Sequence, residues 1–387
     1  MKKKVVLSIF IILISFLQNS CGSKRISKKI IVASSGKIES LDPARANTLK
    51  AIQLISSLGD TLYELNSDGE LIPELASGMP VISKDRLQIT INLRKNVFFH
   101  DGTAFNSNAM KFTFDRFKRI GTMNYILGNK IKSIETPSEY SVIINLNKPS
   151  SSLNGLLTSV NLTPISPTFY KQYSDKFLNE KFVGTGKYVL TSFSNEVQSI
   201  DPYLNYWGEK PLNNGVNFVG YSNSSSLFGA LKSKQIDVLL SNSIDDSQRK
   251  SLNNLSKNKQ FNEGNSPFTE LSFISLKTSS YPLSNLNLRL ALAKSLNRKL
   301  ISEKVSYGLR KPSRSIIPPI LKKDNQELWP KYDYLEARRL LQKENYCNGN
   351  ILKIPLTYRS NVPADKLIAL TWQEEIKSSL KDCIDIE

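Results

Sequence analysis

Residues Gln88-Ile89-Thr90-Ile91-Asn92-Leu93 alternate polar and apolar side chains, the period-two pattern of a half-buried strand. The polar turn Arg94-Lys95-Asn96 comes next, and Val97-Phe98-Phe99 returns as a second strand. Asp101-Gly102 makes a turn, because Gly accepts positive φ and Asp bonds its own backbone. Asn106 then stands where an N-cap belongs, with Met110, Phe114 and Phe117 on one helical face behind it. Upstream, Ile30–Ala33 predicts a buried strand, Ser34-Ser35-Gly36 a loop, and Thr48–Tyr63 a helix with Ile52, Ile55 and Leu58 on one side. Downstream, Ser141–Leu146 reads as a strand, Val183–Leu190 as a glycine-kinked strand and Val216–Val219 as another. Ser224–Leu231 predicts a helix that turns into a strand ending at Leu240, and Ser241–Asn265 a polar surface loop with a short helix. Leu271–Leu276 predicts a strand, followed by a helix marked by Leu288, Ala291, Leu292, Ser295 and Leu296. Asp333 and Glu336 have capping-box spacing ahead of Ala337, Leu340 and Leu341. Leu352–Tyr358 reads as a strand, Ala364–Leu380 as a helix, and Cys383–Glu387 as the start of a further strand. Helices and strands alternate with no long repeat, which places the chain in the mixed α/β class.

The chain has 387 residues, enough for two or three domains, and a formal net charge of +18. Its Lys and Arg residues are scattered rather than gathered into an aromatic-interleaved basic block, which argues against nucleic acid as the partner. An exported protein close to an anionic envelope accounts for the charge equally well. The N-terminus points to export directly. Lys2-Lys3-Lys4 precedes an apolar run from Val5 to Leu17, of signal-peptide length and too short to span a bilayer. The next residues resemble a bacterial lipoprotein signal, with Cys21 after the small Ser20 and Gly22-Ser23 as the start of a tether. One departure is that Gln18 stands at −3 and Leu17 at −4 relative to Cys21. A signal peptide over 1–20 and a lipid tether over 21–29 are expected. A cleaved, soluble periplasmic protein is the alternative. Lipid chains contribute about 0.8 kcal/mol per buried methylene and would hold the protein at the periplasmic face of the inner membrane.

His100 is the only histidine, and Asp101 lies beside it. Catalysis or metal binding needs further partners, so the pair reads as a turn whose polar groups bond the backbone. Gly184-Thr185-Gly186 has neither Walker nor GxGxxG spacing and reads as a tight turn where backbones approach closely. No GxSxG or HExxH is present. The chain is therefore not expected to be an enzyme, and neither a metal nor a cofactor is expected. Cys347 and Cys383 fit either a disulfide or two buried thiols.

A series of motifs in order carries a resemblance. They are Leu41-Asp42-Pro43, Tyr63-Glu64-Leu65, Asp68 through Ala76, Leu93-Arg94 through Phe99-His100-Asp101-Gly102-Thr103, and Val183-Gly184-Thr185-Gly186. Later in the chain stand Asn205-Tyr206-Trp207-Gly208, Ile236-Asp237-Val238, Arg289 through Ala293 with Asn297-Arg298, and Tyr332-Asp333 through Leu341. Over residues 30–387 the chain resembles the family 5 extracellular solute-binding proteins, the peptide- and nickel-binding components of bacterial ABC importers. It departs from them at Phe273-Ile274-Ser275, where the family often has Asn, and at Asn297, where it often has Asp.

The resemblance implies an α/β, two-lobed periplasmic-binding-protein-like fold with an inserted subdomain. Lobe one would hold residues 30–60 and 178–270, the inserted subdomain 61–177, and lobe two 271–387. Family members continue well past the position of Glu387, so the second lobe is expected to be incomplete. The implied function is capture of a small solute, an oligopeptide above all, between the lobes and delivery to an ABC permease, by a monomer. Ser34, Ser35 and Gly36 would face the ligand. Tyr203, Tyr206 and Trp207 would supply an aromatic wall or else pack the core. An exported lipoprotein that has lost solute binding is the alternative function.

Overall fold

The computed structural model describes residues 28–387 except 67, 128–129, 151–154, 156, 174–175, 241–242, 265–270, 318–327 and 361. The expected signal peptide, Cys21 and most of the tether lie outside the described residues. The chain forms two compact units. One takes the chain up to Val32, Lys37–Asn66 and Leu71–Gly220, and the other Ala33–Gly36, Ser67–Glu70 and Tyr221–Glu387.

The first unit begins with β1 (Ile30–Ser35), whose last residues belong to the second unit. Helix α1 (Leu49–Leu58) starts at Thr48, whose side chain accepts the Ala51 N–H. It buries Ala51, Leu54, Ile55 and Leu58; of the expected face, Ile55 and Leu58 are buried and Ile52 is half-buried. It ends at Gly59, short of the expected Tyr63. The short strands β2 (Tyr63–Leu65) and β3 (Leu71–Pro73) pair antiparallel. Then come β4 (Val81–Ile82), β5 (Gln88–Asn92), α2 (Ser107–Ile120), α3 (Asn124–Leu127), β6 (Ile131–Ser138) and β7 (Ser141–Leu146). These strands form a sheet in the order β4-β5-β7-β6. Ile89 faces Ile144 and Ile91 faces Val142 in its ladder, so both strands turn their apolar alternation to one side. Helix α2 covers that side with Ala109, Met110, Phe114 and Phe117, and the Asn106 side chain caps it by accepting the Ala109 N–H at 3.1 Å.

A second core in this unit gathers Leu41, Leu54, Ile55, Leu58, Tyr170 of α4 (Pro167–Tyr170), Phe182 and Ile200. Ile200 lies on β9 (Val197–Pro202), which pairs antiparallel with β8 (Tyr188–Phe193) and with β10 (Val216–Tyr221). Asp42 and Arg116 link the two cores. The Arg116 guanidinium donates to both Asp42 carboxylate oxygens, at 2.8 and 2.6 Å, and both side chains are buried. Asp42 also accepts the N–H groups of Ala44 and Leu178.

The second unit contains α5 (Ser224–Lys232) and β11 (Val238–Leu239), which lies beside β1 in the sheet order β11-β1-β10-β9-β8. Helix α6 (Asp246–Lys257) is next, then α7 (Leu286–Ser295), α8 (Arg298–Ser306), α9 (Tyr334–Lys343), β12 (Leu352–Ile354), α10 (Pro363–Ser379) and β13 (Ile384–Ile386). Leu288, Ala291, Leu292, Ala337, Leu340, Leu341, Trp372, Ile376 and Leu380 form its core under the parallel pair β12-β13. Cys347 and Cys383 are joined by a disulfide with an S–S distance of 2.07 Å.

Several expectations change. Leu271–Leu276 is not a strand; Ile274 and Leu276 pack on the core while Phe273 is exposed, so burial is met without a ladder. Val97–Phe99 does not pair back on Gln88–Leu93, because β5 already pairs with β4 and β7; Phe98 makes one isolated bridge, to Ala104. The strand expected over Val183–Leu190 begins only at Tyr188. Buried Asp246 of α6 is tied to Arg310 at 2.9 Å, which joins the 221–270 region to the segment after α8.

Candidate functional site

A buried polar cluster of the first unit gathers around Asp60. Helix α1 stops at Gly59 because the backbone of another segment takes the next space. A Cβ on Gly186 would lie 2.4 Å from Gly59 N and from Leu58 C, and one on Gly184 would lie 2.7 Å from Leu58 O. The Gly186 N–H donates to Leu58 O at 3.0 Å. Gly184-Thr185-Gly186 is therefore a close backbone approach, as its spacing suggests, and it delivers Thr185 to Asp60.

Asp60 is buried and accepts three side-chain donors: Thr185 Oγ1 at 2.9 Å, Trp207 Nε1 at 2.9 Å and the Tyr206 hydroxyl at 3.2 Å. Burial raises its pKa, and the bonds from Trp207, Thr185 and Tyr206, with the charge of Lys187, act against that rise. Next to it, Glu74 accepts the Thr61 N–H at 3.1 Å. Its pKa is pushed up to about 8, first by burial and then by the charges of Asp60 and Glu64. The Arg94 guanidinium lies over the Trp207 ring at 4.5 Å and donates from Nε to the Glu74 carbonyl oxygen at 2.9 Å. Tyr206 and Trp207 thus carry a hydrogen-bonding role that aromatic composition does not reveal.

His100 and Tyr203 form the neighbouring group. The His100 N–H donates to Gly184 O at 2.9 Å, and Nε2 lies 3.0 Å from Gly186 O. A carbonyl only accepts, so Nε2 carries the proton. The Tyr203 ring meets the imidazole edge-on at 4.9 Å, and its hydroxyl donates to Phe99 O at 2.9 Å. Burial lowers the His100 pKa. Burial also acts to raise the Asp101 pKa, but bonds from Ser166 and Thr103 outweigh it and hold the carboxyl below its usual range. His100-Asp101 is a turn, but the imidazole's partner is a backbone segment 86 positions away rather than a local one.

Ser34 and Ser35 end β1 and Gly36 follows it, all three in the second unit, whereas Tyr203, Tyr206 and Trp207 belong to the first. Ser34 and Ser35 are half-buried and Gly36 is exposed. Gly36 has φ 78°, and its N–H donates to Tyr221 O at 2.7 Å. Among the described residues, no group of three or more His, Cys, Asp or Glu side chains is arranged to hold a metal ion, and no helix is long and apolar enough to cross a membrane.

Among known proteins, the sequence profile of the bacterial extracellular solute-binding proteins, family 5, matches residues 70–382. The glutathione-binding protein GsiB of Escherichia coli is 26% identical over 360 residues, covering 92% of this chain and 69% of GsiB. The periplasmic binding protein DppA of Helicobacter pylori, solved with the peptide STSA, superposes with a TM-score of 0.78 at 24% identity, covering 93% of this chain and 73% of DppA. NikA of Brucella suis, solved with Fe(III)-EDTA, gives 0.78 at 23% identity, covering 93% of this chain and 74% of NikA. The fold is that of the two-lobed periplasmic binding proteins.

Proposed function

We propose, from the premise that this chain belongs to the bacterial extracellular solute-binding proteins of family 5, that it captures a peptide-like solute and hands it to an ABC permease in the membrane. Membership makes it a solute-binding protein of the ABC-transporter class and not an enzyme. The peptide-like solute is supported by two relatives, GsiB, named for glutathione, and DppA, solved with a tetrapeptide. NikA, with its metal chelate, supports a second reading. The single histidine weighs against direct metal ligation, since His100 already gives Nε2 to Gly186 O. Ser34, Ser35 and Gly36 are proposed to offer small side chains and exposed backbone to the solute, and Tyr203, Tyr206 and Trp207 to stiffen a loop of the first unit. Cys21 is proposed to carry the lipid anchor on a monomeric protein in the cell envelope.

A thermal-shift panel of di- to pentapeptides, glutathione, sugars and nickel chelates tests the reading. A ligand at a hundredfold excess over Kd stabilises by about 2.7 kcal/mol. For a chain of this size that corresponds to a rise of roughly 3 °C in Tm. Peptides raising Tm without being consumed support the proposal. A shift with chelates alone moves it to the second reading. A folded protein that responds to nothing in the panel points to a lipoprotein that no longer binds solute.

A further inference from the structure

The loop between β9 and β10, residues 203–215, presents two leucines to solvent where the N-terminal tether reaches the first unit. Leu204 is 76% exposed and Leu212 is fully exposed, so neither packs on the protein. The loop that carries them is pinned. The Tyr203 N–H donates to Lys187 O at 2.9 Å, and Asn213 Nδ2 donates to the Tyr188 hydroxyl at 2.8 Å. Tyr206 and Trp207, in its middle, bond Asp60. A pinned loop that holds two leucines in water forgoes apolar burial unless another surface takes them. The tether arrives at the same loop. Lys29 pairs with Asp201, three residues before Leu204. The Ile30 N–H donates at 3.0 Å to the carbonyl of Gly215, three residues after Leu212. Three residues span at most about 11 Å, so both leucines lie close to the tether's exit.

We infer that this loop rests on the membrane, with Leu204 and Leu212 inserted into the lipid surface beside the tether. The occupant follows from the chain that leads into the described residues. Cys21, the proposed lipid-bearing residue, stands seven residues before Lys28, a span of at most about 25 Å. A tether that short holds the loop against the lipid at an effective concentration on the order of millimolar, so weak insertion by two leucines suffices. The charge agrees. Within residues 22–29 and 203–215, Lys24, Arg25, Lys28 and Lys210 stand against Glu209, while Lys29 is paired with Asp201. That balance suits anionic lipid. Docking by this loop fixes which side of the first unit faces the membrane. The inference rests on the proposed anchor at Cys21, and the test separates the two.

The test uses the chain from Cys21 onward, made without lipid and coupled through the Cys21 thiol to a maleimide lipid in vesicles of phosphatidylcholine and phosphatidylglycerol. Cys347 and Cys383 are disulfide-bonded, so Cys21 is the thiol that reacts. Leu212→Trp reports on the loop, and Tyr125→Trp, exposed on α3, is the control. The emission of the parent's three tryptophans is subtracted. Leu212→Trp emission should shift to the blue and be quenched when the phosphatidylcholine carries brominated acyl chains, while Tyr125→Trp emission stays unchanged. Adding Leu204→Ser should lower the docked-to-undocked ratio roughly tenfold or more. Replacing phosphatidylglycerol with phosphatidylcholine should weaken the quenching. Leu212→Trp emission that is neither shifted nor quenched on the coupled vesicles overturns the inference, and so does equal quenching of Tyr125→Trp. A blue shift that needs no vesicle and grows with protein concentration assigns the leucines to a second copy and also overturns it. Flotation of the exported protein with and without Cys21→Ser judges the anchor separately. A protein that never floats ends the anchor reading, while the coupled vesicles still decide the loop.

Discussion

Gly186→Ala probes the backbone approach that assembles the Asp60 cluster. The new Cβ would lie 2.4 Å from both Gly59 N and Leu58 C, and these are main-chain atoms that cannot rotate aside. Gly186 does not have positive φ, so the conformation itself tolerates alanine and the cost is the contact. Overpacking of this kind costs about 1–3 kcal/mol. Separating the segments also weakens the Gly186 N–H to Leu58 O bond and the His100 Nε2 bond to Gly186 O, each 3.0 Å, at about 1 kcal/mol apiece. Alanine recovers about 0.4–1 kcal/mol by stiffening the unfolded chain. The net loss expected is about 2–4 kcal/mol, or a Tm lower by roughly 2–5 °C. Differential scanning calorimetry measures it, with Gly229→Ala as the control. Gly229 lies inside α5 with nothing within 4 Å of its would-be Cβ, so alanine there should hold or raise Tm. A G186A protein melting with the parent would refute the reasoning that close approach dictates this glycine.

Two further perturbations address the cores. Arg116→Met leaves the Asp42 carboxylate buried without its guanidinium and should cost about 3–5 kcal/mol in urea unfolding, while the double variant D42N/R116M should cost less than the single. A double variant whose loss equals the sum of the R116M and D42N single losses would show that the pair is not coupled. Replacing Cys347 and Cys383 with alanine opens a loop of 36 residues and should cost about 4 kcal/mol on chain-entropy grounds, with the parent matching the variant once reduced under denaturing conditions.

Local patterns carried much of the fold into view. The alternation in Gln88–Leu93, the Asn106 cap with Met110, Phe114 and Phe117, and the α7 face through Leu288 and Leu292 each depend on neighbours within a few positions. Leu271–Leu276 misleads because alternation reports burial of one side, and Ile274 and Leu276 achieve that without a pairing strand. Helix α6 had a readable start that composition obscured, since Asp245 and Gln248 form a reciprocal capping box ahead of a polar run. The Asp60 cluster was not readable. Its bonds join residues 125 to 147 positions apart, and a motif such as Gly-Thr-Gly shows that something passes closely without showing what. Tyr206 and Trp207 look alike as wall or as filler until their polar atoms are seen to point at one carboxylate.

The most direct test of solute binding is isothermal titration calorimetry of the full chain with a defined set of tripeptides and glutathione. Saturable one-to-one binding at micromolar Kd, about −8 kcal/mol, is the expected result. The absence of a saturable heat for every peptide, from a protein whose cooperative melting shows it to be folded, would contradict the proposal that the chain captures a peptide-like solute.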